Sequence, residues 1–307
     1  MLLLKKLKKH FRDYWVLHLM TLPGVIVTLI FAYAPKFGVV MAFQNFNYRL
    51  GFFRSPFIGL RNFEYLFSTT DAWIITRNTV CYNVVFILLH TTLAMLLAIL
   101  LNEIRSKALA KYIQTVYMMP HFLSMTAVSM IVFCFLSDKY GLLNQVIVML
   151  GGEPHRWYME KGPWPVILVL VSSWLSVGYS SIIYLASITG INQEYYEAAM
   201  IDGATRPQQA WYITIPHLRA ILTITLIQSV GGILGGDFGL FYSVPRDSGA
   251  LYPVTNIIDT YIFRALKEQQ NYGMSAAAGF YQSLVGVVLL LITNSIVNRI
   301  SPEYALF

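Results

Sequence analysis

The sequence predicts an all-α integral membrane protein with six spans, and three observations carry that reading. The 307 residues are 56% hydrophobic and only 12% charged, whereas a soluble domain averages about 25% charged residues. The apolar residues fall in runs that approach or exceed the ~18 to 20 residues needed to cross a bilayer. A long polar island, residues 190–216, interrupts those runs. A chain in hydrocarbon must satisfy its own backbone groups, so the runs are read as helices and the island as lying outside the bilayer. The net charge of +7 points to lipid headgroups and orientation signals before nucleic acid. No basic-aromatic motif argues for a nucleic-acid partner. Cys81 and Cys134 both lie in apolar runs, where they read as small packed hydrophobes rather than a disulfide or a metal site.

Residues 1–14 form a cytoplasmic N-terminal segment, because Lys5, Lys6, Lys8, Lys9 and Arg12 precede the first apolar run. The first span covers 15–43. Ala32-Tyr33-Ala34 mimics a signal-peptide cleavage site, but the apolar run outlasts a usual signal core. Residues 44–72 are an outer loop broken by Gly51, Pro56 and Gly59. Leu60 to Phe67 reads there as a short amphipathic helix. The second span, 73–101, holds Asn83 and His90. Polar groups inside a span face the bundle or a cavity, and the sequence leaves open whether these two bond to helices or contact a solute. Arg105, Lys107 and Lys111 mark an inner loop. The third span, 112–136, contains Pro120, which should kink it, and His121. Trp157, Pro163, Trp164 and Pro165 mark the interface before the fourth span, 166–189.

The polar island has internal design. Asn192 fits the cap of a helix from Gln193 to about Ile201. Gly203 supplies a left-handed stop. Thr205 and Gln208 fit a reciprocal capping box for a second helix, with Pro207 tolerated in its first turn. The fifth span, 217–236, ends in the glycine-rich stretch Ser229 to Gly239, which favours close packing or a broken helix. Residues 240–273 are an outer loop, the sixth span covers 275–297, and residues 300–307 form a cytoplasmic tail. Both termini then lie inside.

Glu197-Ala198-Ala199, Gly203, Ile213, Ile215 and Pro216 reproduce a spaced pattern: Glu-Ala-Ala, three residues, Gly, nine residues, Ile, one residue, a hydrophobe, Pro. This resembles the EAA loop of the membrane subunits of binding-protein-dependent ABC importers of the maltose-permease type. The segment Gly59-Leu60-Arg61-Asn62-Phe63 is similar to one found after the first span in sugar permeases of that family. Gly236 to Asp259, with Arg264, is similar to a subgroup that handles complex oligosaccharides. The resemblance implies the six-helix ABC importer permease fold in a bacterial cytoplasmic membrane. It implies that loop 190–216 is a coupling helix docked in a cytoplasmic ATPase, with Glu197, Ala198, Ala199, Asp202, Gly203, Ala204 and Pro216 at the contact. It implies a sugar pathway against the fourth and fifth spans. Matching positions are Leu175, Ser176 and Tyr179 on the fourth, and Gln228, Ser229, Gly232 and Gly236 on the fifth. Trp174 and Asp237 join them because sugar sites combine aromatic faces with a few placed polar groups. The family's asparagine-rich stretch on the fifth span is replaced here by glycines, which argues against maltose itself. The implied partners are a second homologous permease, two ATPase subunits that bind ATP and Mg, and an extracellular substrate-binding protein, often a lipoprotein.

The chain carries no GxxxxGK[ST] phosphate loop and no HExxH, CxxC or GxSxG. ATP hydrolysis is therefore assigned to partner subunits, and no catalytic or metal-ligating residue is expected here. Two rival classes fit less well. An intramembrane aspartyl protease needs GxGD and a second aspartate, but Leu234 stands at the first glycine position and no other span has a central aspartate. A secondary carrier needs ionisable groups within the spans. Only His90, His121 and Asp237 qualify, and the EAA loop would be unexplained.

Overall fold

The computed structural model describes residues 13–300 and 302–304. The basic cluster at residues 5–12 lies outside the described residues, as do Ser301 and residues 305–307. Every long element is helical. Helix α1 (Trp15–Phe43) is followed by the short α2 (Arg61–Ser68) and by α3 (Thr70–Asn102). Next come α4 (Lys107–Phe122) and α5 (Met125–Leu136), then the short outer α6 (Leu142–Met149) and the long α7 (Trp164–Thr189). The polar island holds α8 (Gln193–Ile201) and the start of α9 (Arg206–His217). The remainder is α10 (Arg219–Gly231), α11 (Phe238–Ser243), α12 (Ile258–Lys267) and α13 (Tyr272–Ile300).

Among the described residues α1, α3, α7 and α13 are each long and apolar enough to cross a membrane, and two bent pairs raise the number to six if each is one span. The α4–α5 pair bends by 97° where Pro120 sits in a 3-10 turn. Pro120 offers no N–H to the helix, and Ser124 then caps the new direction by accepting from the Ala127 N–H at 3.2 Å. The α9–α10 pair bends by 59° around Leu218. The helices overrun the boundaries read from hydropathy by a few residues, because polar terminal turns continue the hydrogen-bond ladder beyond the apolar run.

Helices α3 and α7 share the longest seam of the fold. Ala94 and Ala98 are wholly buried there beside Tyr184, Ile188 and Leu218. Alanine lets the helix axes approach, so packing and dispersion replace a hydrophobic drive that lipid cannot supply. Helix α13 packs on the outer half of α1, on α10, on α12 and on α2. The inner half of α1, Trp15–Thr28, has no buried residue. Near the outer mouth a second core gathers Tyr82, Phe86, Val132, Trp164, Leu168 and Phe241.

The outer loops are tied down by buried polar groups. Asn62 donates to the carbonyls of Ala42 and Gln44 at 2.9 and 3.0 Å, which pins the end of α1 to α2. Asn78 donates to Asn256 O at 2.9 Å, Tyr82 to Val254 O at 2.9 Å, and Ile258 N to Thr79 Oγ1 at 3.0 Å. These bonds staple the loop before α12 onto α3. Arg264 completes the staple. It donates to Asp247 Oδ1 at 2.6 and 2.9 Å and to Asn256 Oδ1 at 2.8 Å, and it lies 3.9 Å from the Tyr252 ring centre. A buried guanidinium is tolerable only when its donors are satisfied in this way.

Candidate functional site

Two regions are built for work, one in the polar island and one midway along the bundle. In the island, Asn192 caps α8 by accepting from Glu194 N at 3.1 Å. The helix ends at Gly203, whose φ of 82° is left-handed. Ala204 N donates back to Ala199 O at 2.8 Å and Gly203 N to Met200 O at 3.1 Å, a Schellman closure that needs the glycine. The expected capping box is only half formed. Thr205 N does donate to Gln208 Oε1 at 2.7 Å, but the Thr205 hydroxyl donates to the same oxygen at 2.8 Å.

Glu197, Ala198, Asp202 and Gly203 are exposed, while Ala199, Ala204 and Pro216 are half-buried. Around the two alanines the surface is unusually apolar for a polar loop. Ile201 is 87% exposed, Tyr212 74% and Trp211 66%, so the loop presents a slim helix rimmed by large hydrophobes. The loop is held rigid beneath that face. The Tyr196 and Thr214 hydroxyls are bonded at 2.9 Å in a buried position, and Gln209 Nε2 donates to Ala204 O at 3.0 Å. Arg206 reaches Glu103 at 3.5 Å, tying the island to the preceding inner loop.

The second region is a cavity of about 410 Å³ between α3, α7 and α10, within the ~300 to 1,000 Å³ typical of ligand pockets. Its walls are Asn83, Phe86, Ile87, His90 and Thr91 from α3, Ser180, Ile183 and Tyr184 from α7, and Thr225, Gln228, Ser229 and Gly232 from α10. None of these is an Asp, Glu, Lys or Arg. The His90 ring stacks on Phe86 with centroids 5.3 Å apart, and His90 Nε2 is buried without a partner.

The cavity adjoins a break in the membrane helix, reached at Gly232. Helix α10 stops at Gly231, and the chain runs irregularly to Phe238. Irregular backbone at membrane depth must find its partners elsewhere in the protein. Here Asn83 Nδ2 donates to the carbonyls of Ile233 and Gly235, both at 2.9 Å. Gln282 Nε2 donates to Leu234 O at 2.8 Å, and Gly236 N donates to Asp259 Oδ2 at 2.7 Å. A Cβ at Gly236 would collide with Ile257 Cδ1 and lie 2.9 Å from Asp259 Oδ2, so the close approach requires glycine.

The structure therefore divides the predicted pathway residues. Gln228, Ser229 and Gly232 line the cavity. Leu175 instead belongs to the outer core, and Gly236 serves the break. Asp237 caps α11, accepting from Leu240 N at 3.0 Å, so its carboxylate is engaged locally. Trp174 is 44% exposed, and Ser176 is half-buried outside the cavity. Tyr179 stacks face to face on His121 with centroids 4.2 Å apart. Sequence reasoning missed Ser180, Tyr184 and Thr225 on the walls. Their signal was present as polar residues at helical spacing: 180 with 184 on α7, and 225 with 228 and 229 on α10.

Comparisons with known proteins agree with this architecture. Residues 90–302 match the family described as the binding-protein-dependent transport system inner membrane component. The chain is 34% identical to the polygalacturonan/rhamnogalacturonan transport system permease protein YteP of Bacillus subtilis (strain 168), over 94% of this chain and 89% of that one. It is 26% identical to the arabinooligosaccharides transport system permease protein AraP of Halalkalibacterium halodurans, over 88% of this chain and 81% of the relative. A crystal structure of a bacterial ABC transporter involved in the import of the acidic polysaccharide alginate contains a chain that superposes with a TM-score of 0.88 at 31% identity, covering 96% of this chain and 99% of that one. With a helical bundle, a broken inner helix and a family match over most of its length, this chain belongs to the inner membrane components of binding-protein-dependent transport systems.

Proposed function

We propose that this chain is one membrane subunit of an ATP-driven importer that moves sugars, chiefly oligosaccharides, across a bacterial cytoplasmic membrane by alternating access. The observation that carries the proposal is the coupling loop: a rigid, slim helix with an exposed apolar rim, joined without a flexible linker to a wall of the cavity. The Tyr196–Thr214 bond fixes α8 to α9, and α9 continues through one bend into α10, which contributes Gln228, Ser229 and Gly232 to the cavity. A displacement imposed on α8 reaches the cavity wall along this path.

In this reading two cytoplasmic ATPases bind ATP and Mg, and each takes a coupling helix into a cleft. Glu197 accepts hydrogen bonds from the ATPase, while Ala198, Ala199 and Ala204 keep the fit close. Asp202 and Gly203 turn the chain out of the cleft. Pro216 begins the return to the membrane. ATP-driven closure moves the two loops together only if they contact the ATPases differently in the two states. A second homologous permease completes the pathway, with exposed Trp174 and Tyr179 facing it. The hydroxyls, amides and aromatic rings of the cavity suit sugar hydroxyls and faces. An extracellular binding protein delivers the sugar to loops 44–72, 137–164 and 237–274, and both termini lie inside. Three names support the sugar assignment: those of the pectin-type, arabinooligosaccharide and alginate transporters.

The test is mild-detergent purification of the tagged chain from its native membrane. Recovery of an ATPase and a second EAA-bearing permease, with ATP-dependent sugar uptake after reconstitution, is the expected result. A chain recovered alone that moves solute without ATP would replace the importer with a secondary carrier.

A further inference from the structure

A second cavity, of about 390 Å³, opens among the outer loops and shares no residue with the pathway. Phe133 and Tyr158 form an aromatic floor, their ring centroids 5.8 Å apart. Arg246 stands over Phe133, while Lys139, whose ammonium lies 5.2 Å from the Tyr140 ring centre, lines the cavity with Asp138 and Ser248. Neither cation has a carboxylate partner among the described residues. The Arg246 guanidinium carbon lies 4.2 Å from the centre of the Phe133 ring. A guanidinium over a ring face can still present its N–H groups to a bidentate acceptor such as a carboxylate.

The fold spends conformational strain to place that arginine. Arg246 and Asp247 are consecutive non-glycine residues with φ of 55° and 49°, a left-handed conformation that L side chains disfavour. They are held there by the buried Asp247–Arg264 pair at 2.6 Å and by Ser248 Oγ, which donates to Tyr158 O at 2.9 Å. The Tyr158 hydroxyl is buried with no hydrogen-bond partner. Its pKa is pushed up to about 12, chiefly by burial, against the opposing pull of Arg246 and with the help of Asp138. It therefore stays a protonated donor at any ordinary pH. The cavity offers a guanidinium over an aromatic ring, a second cation and apolar ring faces. A sugar ring bearing a carboxylate needs that combination, whereas the membrane cavity has no fixed positive charge to meet one.

We propose that this outer cavity is a subsite for a uronate residue of the sugar chain, reading the carboxylate before the sugar enters the membrane; the proposal rests on the importer reading. An acidic side chain of a docked protein would satisfy the cations, but it would leave the aromatic floor of Phe133 and Tyr158 unexplained.

The test uses the assembled transporter in nanodiscs without its binding protein. Calorimetry compares trigalacturonate with the neutral galactose trimer. The wild type is expected to prefer trigalacturonate by at least about tenfold, the effect of a charge-assisted bond. In Arg246→Gln, which keeps a side chain at the same backbone position, the preference is expected to collapse to within about twofold. The exposed Lys139→Gln should reduce it several-fold and serves if Arg246→Gln fails to assemble. An unchanged preference in these variants, or none in the wild type, overturns the subsite. So does weakened docking of the sugar-free binding protein in Arg246→Gln with sugar binding unaltered, which would make the cavity a protein contact. Failure of the wild type, reconstituted in sealed vesicles with its binding protein, to take up any sugar on ATP addition would instead remove the importer reading beneath it.

Discussion

At the scale of single residues, the chain places its least replaceable groups where backbone geometry leaves no alternative. Gly203 closes α8 at a φ of 82° with its flank open to solvent. A β-branched residue has room for its side chain there but not for its backbone, and the left-handed conformation costs it about 1–2 kcal/mol or more. Gly203→Val is therefore expected to insert normally and to reduce ATP-driven uptake by at least about tenfold, because the coupling helix leaves at a wrong angle. Uptake assays normalised to membrane content check this. Wild-type uptake would remove the loop from the coupling path. Gly236 was read from the sequence as a pathway position, but the structure gives it a different task. Its missing Cβ lets Ile257 and Asp259 close over the broken helix.

At the scale of elements, the break after α10 depends on side chains from other helices. Asn83 satisfies two carbonyls of the irregular segment and also lines the cavity. Asn83→Leu leaves those acceptors without the amide, at about 1–3 kcal/mol for a buried unsatisfied group. The variant is expected to melt several degrees lower in detergent and to lose uptake, whereas Asn83→Gln should retain part of both. An unchanged melting temperature in Asn83→Leu would mean that water has replaced the amide. The loop before α12 supplies a contrast between buried and exposed charge. The Arg264 side chain is 7% exposed and bound to Asp247. Arg264→Met strands a carboxylate and is expected to destabilise by about 3–5 kcal/mol. The Arg206–Glu103 pair is 58% and 37% exposed, so Arg206→Gln should change stability by no more than about 1 kcal/mol. Thermal shift of the purified complex separates the two.

At the scale of the molecule, a mechanical path runs from an exposed inner helix to a membrane cavity, and a separate outer region is fastened by hydrogen bonds to α3. The two ends are built differently for a reason. The inner island leaves large hydrophobes uncovered, Ile201 most of all, and such a patch in water calls for a protein partner. The loop before α12 buries its polar groups instead, in hydrogen bonds to α3. The inner half of α1 buries nothing within the chain, and in a membrane its apolar surface meets lipid or a neighbouring subunit. Isolated in detergent without partners, the chain is expected to aggregate more readily than the full complex. Size-exclusion profiles of both would show it, and a stable monodisperse monomer would argue that the island needs no partner.

The sequence by itself determined the helical membrane class, the approximate spans and the turns of the polar island. Apolar run length, the Asn192 cap and the glycine at 203 are local signals, and local physics decides them. It also held the polar residues that line the cavity, at helical spacing on α3, α7 and α10, but not which faces meet. Only the tertiary structure decided that Gln228, Ser229 and Gly232 share a cavity with His90 and Tyr184 while Leu175 enters the core. Those outcomes depend on partners 40 to 150 positions away in sequence, such as Asn83 with Ile233 and Gln282 with Leu234. No periodicity within one helix carries that information, because a polar residue facing inward reads the same whether it meets a carbonyl, another side chain or open space.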